Sequence, residues 1–186
     1  MNDDDLPEGW AWTTLDEVTQ PVPNVKPETE ANREFGYVDI SSICNQSNRI
    51  IESKPILGKD APSRARRPIQ PGDVLFSNVR TYLRKIAIVP DGFPADLCST
   101  GFTVLRPNAA VDPRYLFRYV LSDDFIDRVT PQQTGTHYPA TSDRVVMAER
   151  IACRRGRSSG GSWRSWRSWW GRCRRASSVC RGFRGC

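Results

Sequence analysis

Two basic runs carry most of the chemistry this sequence could do. One is SRARR, Ser63 to Arg67, and the other is SNVRTYLRK, Ser77 to Lys85. Arginine and lysine neutralise phosphates, arginine can pair with both acceptors of a guanine edge, and asparagine can do the same for adenine. On that chemistry Arg64, Arg66, Arg67, Arg80 and Lys85 are candidates for phosphate or guanine contacts. Asn78, Tyr82 and the consecutive Thr136, His137 and Tyr138 are candidates for positions close to the bases. A solvated, charged hairpin tip would have the same composition, and the residue types alone leave both readings open.

Catalytic constellations are weaker. Asp39 with Glu52-Ser53-Lys54 fits a loose D…E-x-K pattern, in which two carboxylates hold Mg²⁺ beside a lysine. That spacing arises by chance in many charged chains, and Lys54 precedes Pro55 in an expected turn. A methyltransferase needs a glycine-rich cofactor loop after a strand and a polar-Pro-Pro-aromatic site, and the sequence has neither. The single histidine, His137, sits in a Gly-Thr-His-Tyr-Pro loop, too little for nucleophile–base catalysis. Cys153, Cys173, Cys180 and Cys186 lack the close spacing that makes a zinc site credible. The residues therefore predict a non-catalytic protein that uses no metal or cofactor.

Charge is distributed unevenly over the 186 residues. The net charge is +6, yet residues 1–150 hold 17 basic and 21 acidic side chains, and the last 36 residues hold ten arginines and no acid. Within the body, residues 49–85 carry nine basic and three acidic side chains, against two and ten in residues 1–48. A positive face is therefore expected from the middle third. The N-terminus MNDDDLPEGW is acidic and lacks the apolar run of a signal peptide. No stretch approaches the ~18 consecutive apolar residues of a membrane span. A reduced cytoplasmic protein is expected, with Cys44 and Cys98 as ordinary thiols.

Several elements could position the basic runs. Trp10 and Trp12 lie on one side of an extended segment, and Thr13 or Thr14 opens a short helical turn. YVDISSI, Tyr37 to Ile43, alternates like a half-buried strand. A Pro-Gly-Asp turn leads into a β-run from Val74 to Val79, and KIAIV forms another, closed by Pro90-Asp91-Gly92. Phe102 to Leu105 is the strongest strand, after a break near Gly101. The period then changes. Asp112 caps a helix with Pro113 in its first position and Tyr115, Leu116, Tyr119 and Val120 on one face. Ser122 restarts a second helix, and DRVVMAERI forms a further short element. The fold class expected is α+β, a mixed or antiparallel twisted sheet with a few helices. Trp10, Trp12, Phe102, Leu116 and Phe117 are expected to pack.

The order of these segments carries a resemblance. LPEGWAWTTLDEV, GYVDISSI, QPGDVLFSNVRTYLRKIAIVPDGFPADLCSTGFTVLRP, DPRYLFRYVLSDDFIDRV and TGTHYPATSDRVV, across roughly residues 6–150, together resemble a target recognition domain. Such domains belong to the specificity subunits of type I restriction–modification systems. The resemblance implies a subunit with two such domains, each reading one half of a bipartite site on double-stranded DNA. Long helices between them set the spacing and dock the modification (methyltransferase) and restriction subunits. The specificity subunit itself performs no chemistry. Its DNA-reading residues lie in variable loops, so the resemblance assigns no individual position here.

The same resemblance leads to an expected Leu-Pro-Pro, Ala-Glu-Gln motif and a long helix after residue 150, where this chain instead reads ACRRGRSSGG. One permissible coding of Ala152 to Trp170, read from the last base of the alanine codon, gives LPPRAEQRRIVAELEVV. The expected division is therefore a recognition domain over residues 1–151 and an Arg/Trp/Cys-rich tail over residues 152–186. The tail is expected to be a frameshifted, disordered reading of the connecting helix. Other functions kept open are a truncated non-functional fragment, a protein-interaction domain and a metal-dependent nuclease built on Asp39, Glu52 and Lys54.

Overall fold

The computed structural model describes residues 6–135 and 139–154. The chain begins with β1 (Trp10–Thr14), α1 (Leu15–Val18), β2 (Thr19–Gln20) and β3 (Glu34–Val38). A short hairpin follows, β4 (Ile43–Cys44) and β5 (Arg49–Ile50), and then β6 (Lys54–Leu57) and β7 (Ala65–Pro68). The middle holds β8 (Val74–Ser77), β9 (Ile86–Ile88), β10 (Leu97–Ser99) and β11 (Phe102–Pro107). Three helices, α2 (Pro113–Val120), α3 (Asp123–Val129) and α4 (Asp143–Ala148), precede β12 (Arg150–Arg154).

The alternation of side chains along β8 organises the layers. Val74 and Phe76 face one side and Leu75 the other, and all three are fully buried. The sheet that contains β8, in the order β2-β11-β8-β9, therefore needs cover on both faces. On one side Val74, Phe76, Ile86 and Leu105 meet Leu116, Val120, Phe125 and Val129 of the helices. The rings of Phe76 and Phe125 lie edge to face, 5.5 Å apart. On the other side Leu75, Ala87, Phe102 and Val104 pack on Val38, Ile43, Ile50 and Cys98. Those residues come from the small hairpin and from a second sheet, ordered β6-β3-β10-β7, in which β3 and β10 run parallel. The outer face of that second sheet carries Phe35, Tyr37, Ala65 and Leu97 under Val25 of the proline-rich loop. The domain is α+β, built in helix, sheet and sheet layers.

Local signals explain the helices. The Asp112 carboxylate accepts hydrogen bonds from the backbone N–H groups of Arg114 (2.8 Å) and Tyr115 (3.2 Å), with Pro113 in the first turn of α2. The Ser122 hydroxyl caps α3, and the Ser142 hydroxyl caps α4. Both ends of the described chain meet in an antiparallel pair, from Trp10 opposite Arg154 to Thr14 opposite Arg150. The Tyr115 hydroxyl, donating to Ala152 O at 2.7 Å, ties that pair to α2. The strand thus runs three residues beyond the boundary expected at residue 151, because pairing with β1 continues through Ala152 and Cys153.

The strand expected over Tyr37–Ile43 is shorter. It ends at Val38, because Asp39 caps a 3-10 turn at Ile40–Ser42 through a reciprocal bond with Ser42. The last three residues of SRARR, Ala65 to Arg67, open strand β7, and Lys54-Pro55 opens the edge strand β6 rather than a turn. Pro55 is tolerated there because an edge strand has one side without ladder partners. Residues 155–186, where the tail expectation falls, lie outside the described residues.

Two carboxylates hold the strand ends. Asp73, 1% exposed, accepts from Arg106 Nε (3.0 Å) and Nη2 (2.8 Å) and from the Gln70 N–H (3.0 Å), which locks the Pro-Gly-Asp turn to the end of β11. Asp73→Ala strands the Arg106 guanidinium and is expected to cost about 3–5 kcal/mol in urea unfolding; a loss under 1 kcal/mol would show that the pair is not structural. Asp39 accepts from Lys54 Nζ (2.7 Å), the Ser41 hydroxyl (2.5 Å) and the Ser42 N–H (3.0 Å). Burial alone would raise this carboxyl, but those hydrogen bonds outweigh it and lower it from an ordinary 3.8 to about 2. A depressed carboxyl contributes its stability in full above its ordinary value and loses it as the pH falls through the folded one. Asp39→Asn is expected to cost about 1 kcal/mol at neutral pH, with the gap to wild type closing as pH falls from 3.8 toward about 2. A gap that stays constant through that window would show that the cap does not depend on the charge.

Candidate nucleic-acid interface

Four backbone hydrogen bonds bring the basic runs and the histidine loop into one seam. The Thr100 N–H donates to Arg64 O (2.8 Å), and the Asn78 N–H donates to Gly101 O (2.9 Å). Thr141 N–H then donates to Asn78 O (2.9 Å) and Arg80 N–H to Pro139 O (2.9 Å). Gly101 fits because a Cβ there would stand 2.7 Å from Ile40 Cδ1. Thr134 and Ala140 exchange two backbone bonds of 2.9 and 3.0 Å, and Ala140 also bridges to Val79. Thr134 and Ala140 are therefore paired beside Val79, and Pro139 is bound to Arg80. Thr136, His137 and Tyr138 themselves lie outside the described residues.

Beneath the seam lies a node of polar side chains around Asp143. Its carboxylate accepts from Asn78 Nδ2 (2.9 Å), from the Thr103 hydroxyl (2.8 Å) and from Arg67. The Thr103 hydroxyl also lies 2.7 Å from Asn78 Oδ1. Asn78 is 6% exposed, and its amide lies within this node, with Nδ2 donating to Asp143 and Oδ1 beside the Thr103 hydroxyl. Arg67, with 14% of its side chain exposed, likewise points inward.

Other expected contact residues are also engaged. Arg66 pairs with Glu28, with both carboxylate oxygens 2.6 Å from Nη1, and its Nε donates to Ser63 O. Lys85 Nζ donates to Ile40 O and Ile43 O, each at 3.0 Å, and so closes the 3-10 turn that Asp39 opens. In this structure the side chains of Asn78, Arg66, Arg67 and Lys85 all have partners within the protein. The sequence shows the cations but not their partners, which lie 38 to 76 residues away. Arg64 is exposed and Arg80 is half-buried at the seam.

Between Arg80 and Arg84 the chain makes a rigid knuckle. Both arginines are left-handed, with φ of 48° and 50°, a conformation that costs a non-glycine residue about 1–2 kcal/mol. The 3-10 turn between them, Thr81–Leu83, buries Thr81, whose hydroxyl is 2.8 Å from that of Thr130 and accepts from Gln133 Nε2. Asn48 Nδ2 holds Arg84 O at 2.8 Å, and the Arg84 guanidinium pairs with Asp123. Tyr82 is 52% exposed and Leu83 36%. Asp143, Thr103, Thr81 and Gln133 were not expected from the sequence. The Ser142-Asp143 helix start was legible, but nothing in it revealed that the carboxylate faces β8 and β11.

The nuclease constellation assembles only in part. Asp39 and Lys54 meet, but Asp39 is occupied by Lys54, Ser41 and Ser42, and Glu52 is exposed. Among the described residues no group of three or more His, Cys, Asp or Glu side chains is placed to hold a metal ion.

No family model matches the chain. The HindI type I restriction enzyme specificity subunit of Haemophilus influenzae is 31% identical over 113 residues, covering 59% of this chain and 24% of that protein. The EcoDI specificity subunit of Escherichia coli is 23% identical over 140 residues, covering 75% and 30%. Among solved structures, a chain of a type I R-M system complex matches with a TM-score of 0.75 and 41% identity, covering 80% of this chain and 38% of that one. The HsdS subunit from Thermoanaerobacter tengcongensis matches with a TM-score of 0.73 and 40% identity, covering 81% and 39%. The chain thus spans about a quarter to two fifths of the length of these relatives. In sequence and in fold, its described body is related to the specificity subunits of type I restriction enzymes over the length of a single domain.

Proposed function

We propose that the chain is a target recognition domain that binds double-stranded DNA and reads one half of a bipartite site. In this reading it performs no chemistry itself and directs a modification (methyltransferase) subunit and a restriction subunit to the site. The observation that carries the proposal is the seam. Hydrogen bonds join the backbone of Arg64 and Arg80 to Pro139, Ala140 and Thr141 in one seam, and the relatives are specificity subunits. Arg64 and Arg80 supply phosphate contacts, while Tyr82, Thr136, His137 and Tyr138 lie close to the bases. Arg66, Arg67, Asn78 and Lys85 hold the surface in shape. The working compartment in this reading is the cytoplasm. It agrees with free Cys44, Cys98 and Cys153, and among the described residues no helix is long and apolar enough to cross a membrane.

Residues 152–186 we read as the altered-frame counterpart of the connecting helix. Cys153 packs partly buried against the helix-side core, a position that the first leucine of LPPRAEQ would fill equally well. The nucleotide sequence from codon 145 past codon 186 tests this. An open second frame running through LPPRAEQ and onward is expected, and stop codons in that frame would refute it.

The DNA contacts are separable from the fold. Arg64→Ala with Arg80→Gly is expected to flatten the dependence of log K on log salt by about 2, since each phosphate contact contributes a slope of about 0.9. Glycine at position 80 also relieves the left-handed strain, and urea unfolding of the double variant separates a loss of DNA contacts from a loss of fold. Lys85→Ala is expected to do the reverse, losing about 1.5–3 kcal/mol of stability with no change in salt slope. A slope untouched by the double variant would sink the assignment of Arg64 and Arg80.

A further inference from the structure

The Thr81–Leu83 knuckle places an aromatic and an aliphatic side chain in solvent on a turn held by several hydrogen bonds. The large apolar side chains exposed among the described residues are Ile51, Tyr82 and Leu83, and two of these are neighbours in this one turn. Singly scattered apolar residues need no explanation, but a pair raised on a strained turn does. The support is built from several directions. Thr81 is held by Thr130 and Gln133, Arg84 by Asn48 and Asp123, and the Leu83 N–H donates to Arg80 O at 2.8 Å. Both left-handed residues are arginines rather than glycines, so the turn keeps its geometry at the expense of backbone strain.

We infer that Tyr82 and Leu83 form an apolar wedge that enters a groove of duplex DNA and partly unstacks one base step. This rests on the proposed reading of the chain as a DNA-binding domain and names the residues that would add apolar contact with the bases to its phosphate contacts. The occupant follows from charge. Arg80 precedes the wedge directly, and the seam joins it to the exposed Arg64. Apolar residues flanked by arginines are the recurrent device for kinking a duplex, in which the cations hold phosphates while the wedge replaces lost base stacking. Burial of the two side chains between bases is an apolar contribution, so it is independent of counterion release.

The test uses the whole chain and duplexes selected on it from a random-sequence pool, with 2-aminopurine substituted in turn for each adenine. Wild type is expected to raise the fluorescence of the probe at one position, the signature of an unstacked base. Tyr82→Ala and Leu83→Ala are each expected to weaken binding on the order of tenfold, equally at low and high salt, and to abolish the rise. Tyr82→Phe is expected to keep both affinity and signal, because the ring face makes the contact. Both side chains are exposed, so urea melts of the alanine variants should overlay wild type. Unchanged affinity in the alanine variants overturns the wedge, as does a loss of affinity with no fluorescence change at any position. If the alanine variants bind DNA normally but no longer assemble with a type I modification subunit, the wedge is overturned in favour of a protein-docking knuckle. A wild-type chain that binds no duplex at all overturns the DNA reading itself, which separates that failure from failure of the wedge.

Discussion

The carboxylate of Asp143 is the point on which the candidate interface depends. It lies at the start of α4 and accepts from Arg67 of β7, from Asn78 just beyond β8 and from Thr103 of β11. One side chain therefore ties both sheets and the helical layer together directly beneath the seam. Asn78 and Thr103 are buried, where each hydrogen bond is stronger than in water and each unpaired group correspondingly costly, while Asp143 keeps 37% of its side chain exposed. Arg67 is largely buried and has Asp143 as its counter-charge, so removing the acid would leave a guanidinium without compensation. The node keeps Asn78 facing inward, and the backbone groups of Asn78 in turn hold Gly101 on one side and Thr141 on the other. The positions of Pro139 and Thr141 follow from that register.

The layering explains why such a node is needed. A sheet buried on both faces, with Phe76 and Val74 on the helices and Leu75 and Phe102 on the second sheet, leaves recognition to the ends of its strands. The turns after β8, before β11 and before α4 come from different layers, and apolar packing fixes their depth more than their lateral register. Directional bonds from Asp143 supply that register, and the Asp73–Arg106 pair does similar work at the opposite end of β8.

Much of the scaffold was legible in the sequence because its signals are local. Asp112-Pro113 and Ser122 act through backbone groups two or three residues away, and the Pro-Gly-Asp turn and the β11 run were readable for the same reason. The short elements were not. Tyr37 to Ile43 alternates like a strand, yet Asp39 can bond Ser42 and turn the chain, and alternation does not reveal which bond wins. β7 was hidden because two of its four residues are arginines, whose stems pack while their charges pair. At the candidate site the residue types were visible and their directions were not. Arg66, Arg67 and Lys85 look like DNA contacts until Glu28, Asp143 and two carbonyl groups come to meet them.

That pairing changes what the charge of the middle third can do. Of its nine basic residues, Lys54, Arg66, Arg67 and Arg84 are paired with Asp39, Glu28, Asp143 and Asp123, and Lys85 is bound to carbonyl groups. Those carboxylates come from the acidic first third and from beyond residue 120, so a local excess of cations is largely cancelled once the chain folds. Arg49, Lys59 and Arg64 stay exposed, with Arg80 half-buried beside them. A surface with so few outward cations gains little from counterion release, and a tight complex would have to draw on contacts that salt does not weaken. Tyr82 and Leu83, raised beside Arg80 on a turn braced from four sides, are the apolar surface placed to supply them.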